Sequence, residues 1–411
     1  MRCTPMISRQ VVALCALVLL GTGCGGSGGG PGSTPAKVPT ITAQPASQSV
    51  TAPAGATFSV SATGSAPLSY QWRRNGVALP GATGSGYTTG PTVPADNGAA
   101  FSVAVTNSVG TTVSTTAILT VAAPPPGILS GKSLLHDSLQ RTYLEYVPQG
   151  LPASSVPLVI VLHGGTESAA VAAGATRASS VWRDVADLDK FVVVYPDGVD
   201  NNWHDCRSDS AIVGTADDVG FIDALITKVA SEHAVDASRI YLTGASNGGM
   251  MTYRIAQELS ARIAGVGAVI ANLPVDPLAS CHGAPQPLTV VIMNGTADTL
   301  MPYLGGPVAG SADRGTVRSA QETLNDWLAV DGCTGPTTPA VENLPDLDPA
   351  DGSTVVRQDW GSCRDGTRVV FFRVDGGGHA EPSRTVFTSG RQNHDVEGVA
   401  EIWRVLKTAR R

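Results

Sequence analysis

Charge is scarce in this chain. Of 411 residues only 15% are Asp, Glu, Lys or Arg, and the formal net charge is -7. No basic surface is therefore on offer, and nucleic acid and anionic lipid are excluded as partners. Long apolar runs are also missing. The block Val11 to Leu20 (VVALCALVLL) is too short to cross a bilayer as a mature helix, which needs about 20 apolar residues. No C-x-x-C pair occurs among the cysteines, so the usual signature of a structural zinc site is absent. What the chain does have is 42% hydrophobic residues, enough for a large core and for more than one domain.

Arg2 and Arg9 flank a short n-region ahead of the apolar block at Val11, the pattern of an export signal over residues 1–24. Leu20-Gly21-Thr22-Gly23-Cys24 follows and resembles the lipobox of bacterial lipoproteins, which makes Cys24 an expected acylation site and a tether to the cell envelope. Ordinary signal cleavage nearby, giving a secreted protein, is the alternative. Residues 25–37 form a Gly/Pro-rich flexible linker. With Cys3, Cys15 and Cys24 set aside, Cys206, Cys281, Cys333 and Cys363 remain and allow three pairings in an oxidising compartment. Cys333 with Cys363 is favoured because it closes a local loop, worth about 3 to 4 kcal/mol on the chain-entropy model. That leaves Cys206 with Cys281.

Between residues 38 and 122 short runs such as ATFSVSATG, SYQWRRNG and AAFSVAVTNSVG alternate apolar with polar residues between Gly, Pro and Asn turns, which predicts an all-β sandwich. Trp72 and the later DNGAAF segment resemble an immunoglobulin-like domain. Phe101 replaces that family's tyrosine, and Val60 and Val103 replace its two cysteines. Phe58, Trp72 and Phe101 are expected to point inward, so a spacer is preferred over a substrate-adhesion module, which would display its aromatics. Residues 123–128 form a stiff Pro-rich linker.

From 129 to 411 the pattern changes. The apolar runs TYLEYV, PLVIVL, FVVVYP, RIYLTG, GVGAVI, PLTVVIM and RVVFFRV alternate with amphipathic segments near Ser179 to Leu188, Val219 to Ala230, Met250 to Ile263, Arg318 to Ala329 and Asp395 to Lys407. This predicts a mostly parallel sheet covered by helices on both faces, an α/β domain.

One motif in that domain carries chemistry. With 47 glycines, G-x-S-x-G should arise by accident roughly once in every two such chains, and Ser27 in the linker is one such match. Ser246 in GASNGGMM differs in context: an apolar strand precedes it, and a helix with Met251, Ile255 and Leu259 on one face follows. Strand, sharp turn and helix make the nucleophile elbow of α/β-hydrolases. A serine hydroxyl needs a base, and of seven histidines only His379 ends a glycine-rich loop directly behind a late strand. Asp298, after the strand PLTVVIM, is the expected carboxylate, with Asp276 and Asp313 as weaker rivals. The amide of Asn247, with that of Gly165 or Thr166 in the turn HGGT, is expected to bind the oxyanion. Trp203 and His163 are candidates for contacting substrate.

LHGGTESA, FVVVYPDG, NNWHDCRS, ADDVGFIDALI, RIYLTGASNGGMM, MNGTADTLMPYLGG and GGGHAEP together resemble the polyhydroxybutyrate depolymerase and feruloyl esterase group, similar to carbohydrate esterase family 1. The resemblance covers nearly all of 129–411. It implies Ser246, Asp298 and His379 as a triad, and the Cys333 to Cys363 pairing. Asp217 and Asp218 match a family position and are read as helix caps. Where that group commonly has Thr-Trp-Pro after the histidine, this chain has Ala380-Glu381-Pro382, which removes an aromatic and adds a charge. The expected activity is ester hydrolysis without metal or cofactor. Polyhydroxybutyrate or its oligomers, feruloyl or acetyl esters on polysaccharide, and small esters are the candidate substrates. A prolyl-peptidase-like hydrolase and a surface binding protein with an inactive hydrolase domain are the alternatives.

Overall fold

A computed structural model describes residues 35–166, 180–211, 215–277, 281, 283–311, 313–333, 339–386, 388 and 390–411. The export segment, Cys24 and the linker up to residue 34 lie outside them. Contacts divide the chain into two compact units. The first takes the described residues up to Ala46 with Phe58–Tyr87 and Ala100–Ala117, and the second takes Ser47–Thr57, Thr88–Ala99 and Ile118–Arg411.

The first unit is all β. Strand Ser69–Arg74 pairs antiparallel with Ala100–Thr106, bringing Trp72 opposite Val103. Phe58, Trp72 and Phe101 are fully buried as expected, and the rings of Phe58 and Phe101 stack with centroids 4.5 Å apart. The one polar atom of that aromatic core is satisfied, because the Trp72 indole donates to the Gly84 carbonyl at 3.0 Å. Val60 and Val103 are buried as well.

The second unit is built on a ten-stranded sheet. In chain order its strands are β1 (Ile128–His136), β2 (Leu139–Val147), β3 (Val156–Leu162), β4 (Val192–Pro196), β5 (Val235–Ala245), β6 (Gly265–Val269), β7 (Thr289–Gly295), β8 (Ala340–Asn343), β9 (Thr354–Trp360) and β10 (Val369–Asp375). Across the sheet the order is β1-β2-β4-β3-β5-β6-β7-β10-β9-β8. From β4 to β10 the pairings are parallel, and both edges are antiparallel. Helices α1 (Ser180–Asp189), α2 (Asp218–Glu232), α3 (Asn247–Glu258), α4 (Ala320–Val330) and α5 (Gly398–Leu406) complete it.

Alternation along the strands decides which helix meets which face. Leu158, Ile160 and Leu162 of β3 share a core with Phe221 and Leu225 of α2, Tyr253 of α3 and Trp327 of α4. Val159 and Val161 share the opposite core with Trp182 of α1 and Ile402 and Trp403 of α5. Burial on both sides is why these strands read as unbroken apolar runs. The expected mostly parallel, doubly covered sheet is thus present. Helix α5 starts at Gly398 rather than at Asp395, because the Asp395 carboxylate accepts the N–H groups of Leu347 and Asp348 and holds its residue in the preceding loop.

Both expected disulfides are present, Cys333–Cys363 and Cys206–Cys281. Beside the first, Asp331 at the end of α4 is fully buried and accepts the Leu288 N–H at 2.8 Å, fixing the start of β7. Burial pushes its carboxyl up to about 7, against hydrogen bonds and the Arg364 charge that pull it down. The folded state therefore holds a proton that the unfolded chain releases near pH 4. This contribution to stability is complete below that pH and is lost as pH rises through about 7. Denaturant unfolding of wild type against Asp331→Asn across pH 4.5 to 8 should show a steeper decline in wild type, by a difference on the order of 3 kcal/mol at most. Parallel curves would refute the assignment.

Candidate active site

The sheet brings four loop-bearing strand ends to one edge. β5 ends at Ala245 and the chain reverses at Ser246 with φ 55° and ψ -121°, a conformation that a non-glycine residue holds only where its surroundings enforce it. The enforcement is close backbone packing. A Cβ on Gly244 would lie 2.5 Å from the Gly248 carbonyl oxygen, and one on Gly248 would strike the carbonyls of Leu162 and His163. Only glycine lets β3, β5 and α3 approach this closely. Ser246 is fixed further by donating its N–H to the Val269 carbonyl at 3.0 Å.

Ser246 Oγ lies 3.0 Å from His379 Nε2, and His379 Nδ1 lies 2.7 Å from Asp298 Oδ2. A carboxylate can only accept, so Nδ1 carries the proton and Nε2 is left to accept from the serine hydroxyl. The other oxygen, Asp298 Oδ1, accepts the N–H groups of Leu300 and Met301 at 2.8 Å each. The Asx-type turn thus coexists with the histidine contact and aims it. The aspartate and histidine loops are laced together: Ala297 N–H donates to the Gly377 carbonyl and Gly376 N–H to Thr296 Oγ1, each at 2.9 Å. Strand ends, glycine turn and serine elbow are the arrangement of an α/β-hydrolase. Asp276 and Asp313 make no contact with His379.

These residues open into a cavity of about 490 Å³, lined by Val161, Trp182, Ile270, Leu300 and Val386 among apolar groups. Gly165 and Asn247 line it too, and their backbone N–H groups donate to no protein acceptor among the described residues. A Cβ at Gly165 would lie 3.4 Å from Asn247 Cβ, so the two residues neighbour one another in the cavity wall. Thr166 does not join them. Its positive φ turns its amide back to the Asn201 carbonyl at 2.8 Å, which removes it from the expected oxyanion donors.

Trp203 and His163 are corrected as substrate contacts. Trp203 is fully buried, does not line the cavity, and donates its indole N–H to the His163 carbonyl at 3.0 Å. His163 lines the wall but is itself 2% exposed, and its Nε2 accepts the Gly198 N–H at 2.9 Å. Its other nitrogen then carries the proton and donates to the Gly164 carbonyl at 2.7 Å. Both are framework. Asp217 caps α2 as expected by accepting the Gly220 N–H, whereas Asp218 is buried against Arg141 at 2.7 Å. Glu381 lines the cavity with Glu397. Burial first, and the Glu397 charge second, push the Glu381 carboxyl up to about 8. At neutral pH the substitution noted after His379 therefore adds a polar, uncharged group.

Sequence reasoning overlooked Asp205, which hydrogen-bonds Asn247, and Arg207, which pairs with Asp205 and lines the cavity; both are buried. The clue was available in NNWHDCRS, where an acid and a base flank a cysteine in a chain otherwise poor in charge.

Residues 141–278 match the sequence profile of the family described as Esterase PHB depolymerase. The chain is 29% identical over 255 residues to "Putative esterase NocK" of Nocardia uniformis subsp. tsuyamanensis, covering 60% of this chain and 72% of that protein. It is 28% identical over 248 residues to feruloyl esterase B of Piromyces equi, covering 59% and 43%. It is 34% identical over 112 residues to poly(3-hydroxyalkanoate) depolymerase C of Paucimonas lemoignei, covering 26% of each. The chain thus spans less than half the length of the latter two.

The elbow's dependence on glycine is testable without reference to any substrate. Gly248→Ala should destabilise the second unit by about 3 kcal/mol or more, because backbone rather than a flexible side chain meets the new methyl. Urea unfolding measures this, and wild-type stability in the variant would show that the close approach is not real.

Proposed function

We propose that the esterase domain this chain carries, a carboxylic ester hydrolase of the PHB depolymerase kind, works through Ser246 as nucleophile, His379 as base and Asp298 as its orienting carboxylate. The observation that carries this reading is the unbroken hydrogen-bonded path from Asp298 through His379 to Ser246 at the wall of a cavity. His379 Nε2 takes the hydroxyl proton as Ser246 Oγ bonds to the ester carbonyl carbon. The amides of Asn247 and Gly165 receive the oxyanion, and the start of α3 favours its charge. Collapse of the tetrahedral intermediate breaks the C–O bond, and His379 returns the proton to the departing alcohol. Water, deprotonated by the same nitrogen, then releases the acid and regenerates the serine.

The cavity wall mixes apolar groups with polar ones, among them Glu397, Arg207, Arg314 and the uncharged Glu381, which suits an acyl group that is apolar but carries oxygen atoms. Hydroxyalkanoate oligomers and feruloyl or acetyl esters both meet that description. Around this chemistry we place an export segment at 1–24, acylated at Cys24, an immunoglobulin-like spacer at 38–122, a proline linker at 123–128 and the hydrolase at 129–411. The spacer would hold the catalytic domain away from the envelope.

Hydrolysis of nitrophenyl acetate and butyrate should fall by on the order of 10⁴-fold or more in Ser246→Ala and by a similar factor in Asp298→Asn, with Tm retained. A fluorophosphonate probe should label wild type at Ser246 and not the alanine variant. Equal rates in wild type and Ser246→Ala would end the esterase reading, and faster cleavage of matched amides than of esters would replace it with a peptidase.

A further inference from the structure

We propose that buried Asp205, as the acceptor for the side chain of Asn247, is a positioning residue for the oxyanion site, with Arg207 balancing its charge. This rests on the esterase reading above, in which the Asn247 backbone N–H is one of the two donors. The side chain of Asn247 is fully engaged. Its Oδ1 accepts the Trp203 N–H at 2.8 Å, while its Nδ2 donates to the Trp203 carbonyl at 3.0 Å and to Asp205 Oδ2 at 2.6 Å. Both amide hydrogens are taken, so the side chain has one allowed orientation, and the main chain to which it is attached is held with it.

Asp205 is in turn held from the other side. Arg207 donates Nη2 to Asp205 Oδ2 at 2.8 Å and Nε to Asp205 Oδ1 at 3.0 Å, a two-pronged contact with planar geometry. The Arg207 side chain is 2% exposed and that of Asp205 is 0% exposed. Arg207 Nη1 donates to the carbonyl of Arg314, which lines the cavity as Arg207 itself does. Cys206 between them is anchored by its disulfide to Cys281. A series of fixed contacts thus runs from the cavity wall to the residue after the nucleophile.

A pair of charges buried this deeply adds little net stability compared with well-packed apolar residues. A purely structural role would therefore be replaceable, whereas orientation of Asn247 would not. An oxyanion donor acts only in the transition state, so its displacement should lower kcat and leave KM alone.

Two double variants of the full chain separate these roles. Asp205→Leu with Arg207→Met removes both charges and the acceptor for Asn247 Nδ2. Asp205→Asn with Arg207→Met removes the charges and keeps an acceptor. For nitrophenyl butyrate the first should lose about 10- to 100-fold in kcat at unchanged KM, with affinity for a trifluoromethyl ketone that mimics the tetrahedral adduct falling by the same factor. The second should stay within about threefold of wild type in both readouts. Circular dichroism and Tm establish that each variant is folded. A folded first variant with wild-type kcat, or equal losses in the two variants, overturns the proposal. If Ser246→Ala also retains wild-type activity, it is the esterase reading that has failed and not the positioning role alone.

Discussion

An imidazole can act as a base toward a serine only if its other nitrogen holds the proton and its ring plane is fixed, so the contact of His379 with Asp298 constrains the whole site. That contact joins residues 81 apart in sequence. Neither loop can fix it alone. β7 and β10 are adjacent and parallel, with Gly295 opposite Val374, so the loops that follow them leave the sheet side by side. Backbone bonds between Ala297 and Gly377 and between Gly376 and Thr296 then remove the remaining freedom. The serine arrives independently, on β5, two strands from β7. Its position is set by steric exclusion at Gly244 and Gly248 rather than by any attraction to the histidine. Because each group is held by backbone, the three side chains are in contact without rearrangement, the preorganisation that a proton transfer between them would need.

The cavity wall adds a second electrostatic feature. Apolar groups surround the serine, so a hydrogen bond to a developing oxyanion is stronger there than in water. The same low polarity disfavours any unpaired charge. Glu381 responds by holding its proton near neutrality, as expected of a carboxyl desolvated beside a second acid. Glu381 thereby offers a polar group to the cavity without adding a negative charge of its own.

How far the sequence disclosed this depended on whether a residue's role was set by local pattern or by distant contacts. The central strands were legible because burial on both faces makes them continuous apolar runs, as in VPLVIVL. Ser246, Asp298 and His379 were legible because each follows such a run at the same sheet edge. Of the antiparallel edge strands only TYLEYV was read. Ile128–His136 alternates exposed with half-buried positions, Thr354–Trp360 is mostly half-buried, and they carry Lys132, Arg357 and Asp359, so they lack that signal. Thr166 was misjudged because the left-handed turn that diverts its amide is a property of one φ angle. Trp203 was misjudged because an aromatic near a site can support the wall from behind as well as form it.

The loop from Trp203 to Asp218 shows why a chain so poor in charge should bury ions here. Asp218 accepts the His204 N–H at 2.8 Å while paired with Arg141, and Arg254 Nη1 reaches the His204 carbonyl at 2.6 Å. One residue on, Asp205 pairs with Arg207. Apolar side chains could fill the same space with comparable stability, but dispersion is non-directional and would leave the loop free to settle in several registers. Charge-assisted hydrogen bonds with fixed angles allow fewer. These ions lie in a segment that holds Asn247 beside Ser246, whereas in the central strands the backbone ladder fixes neighbouring residues.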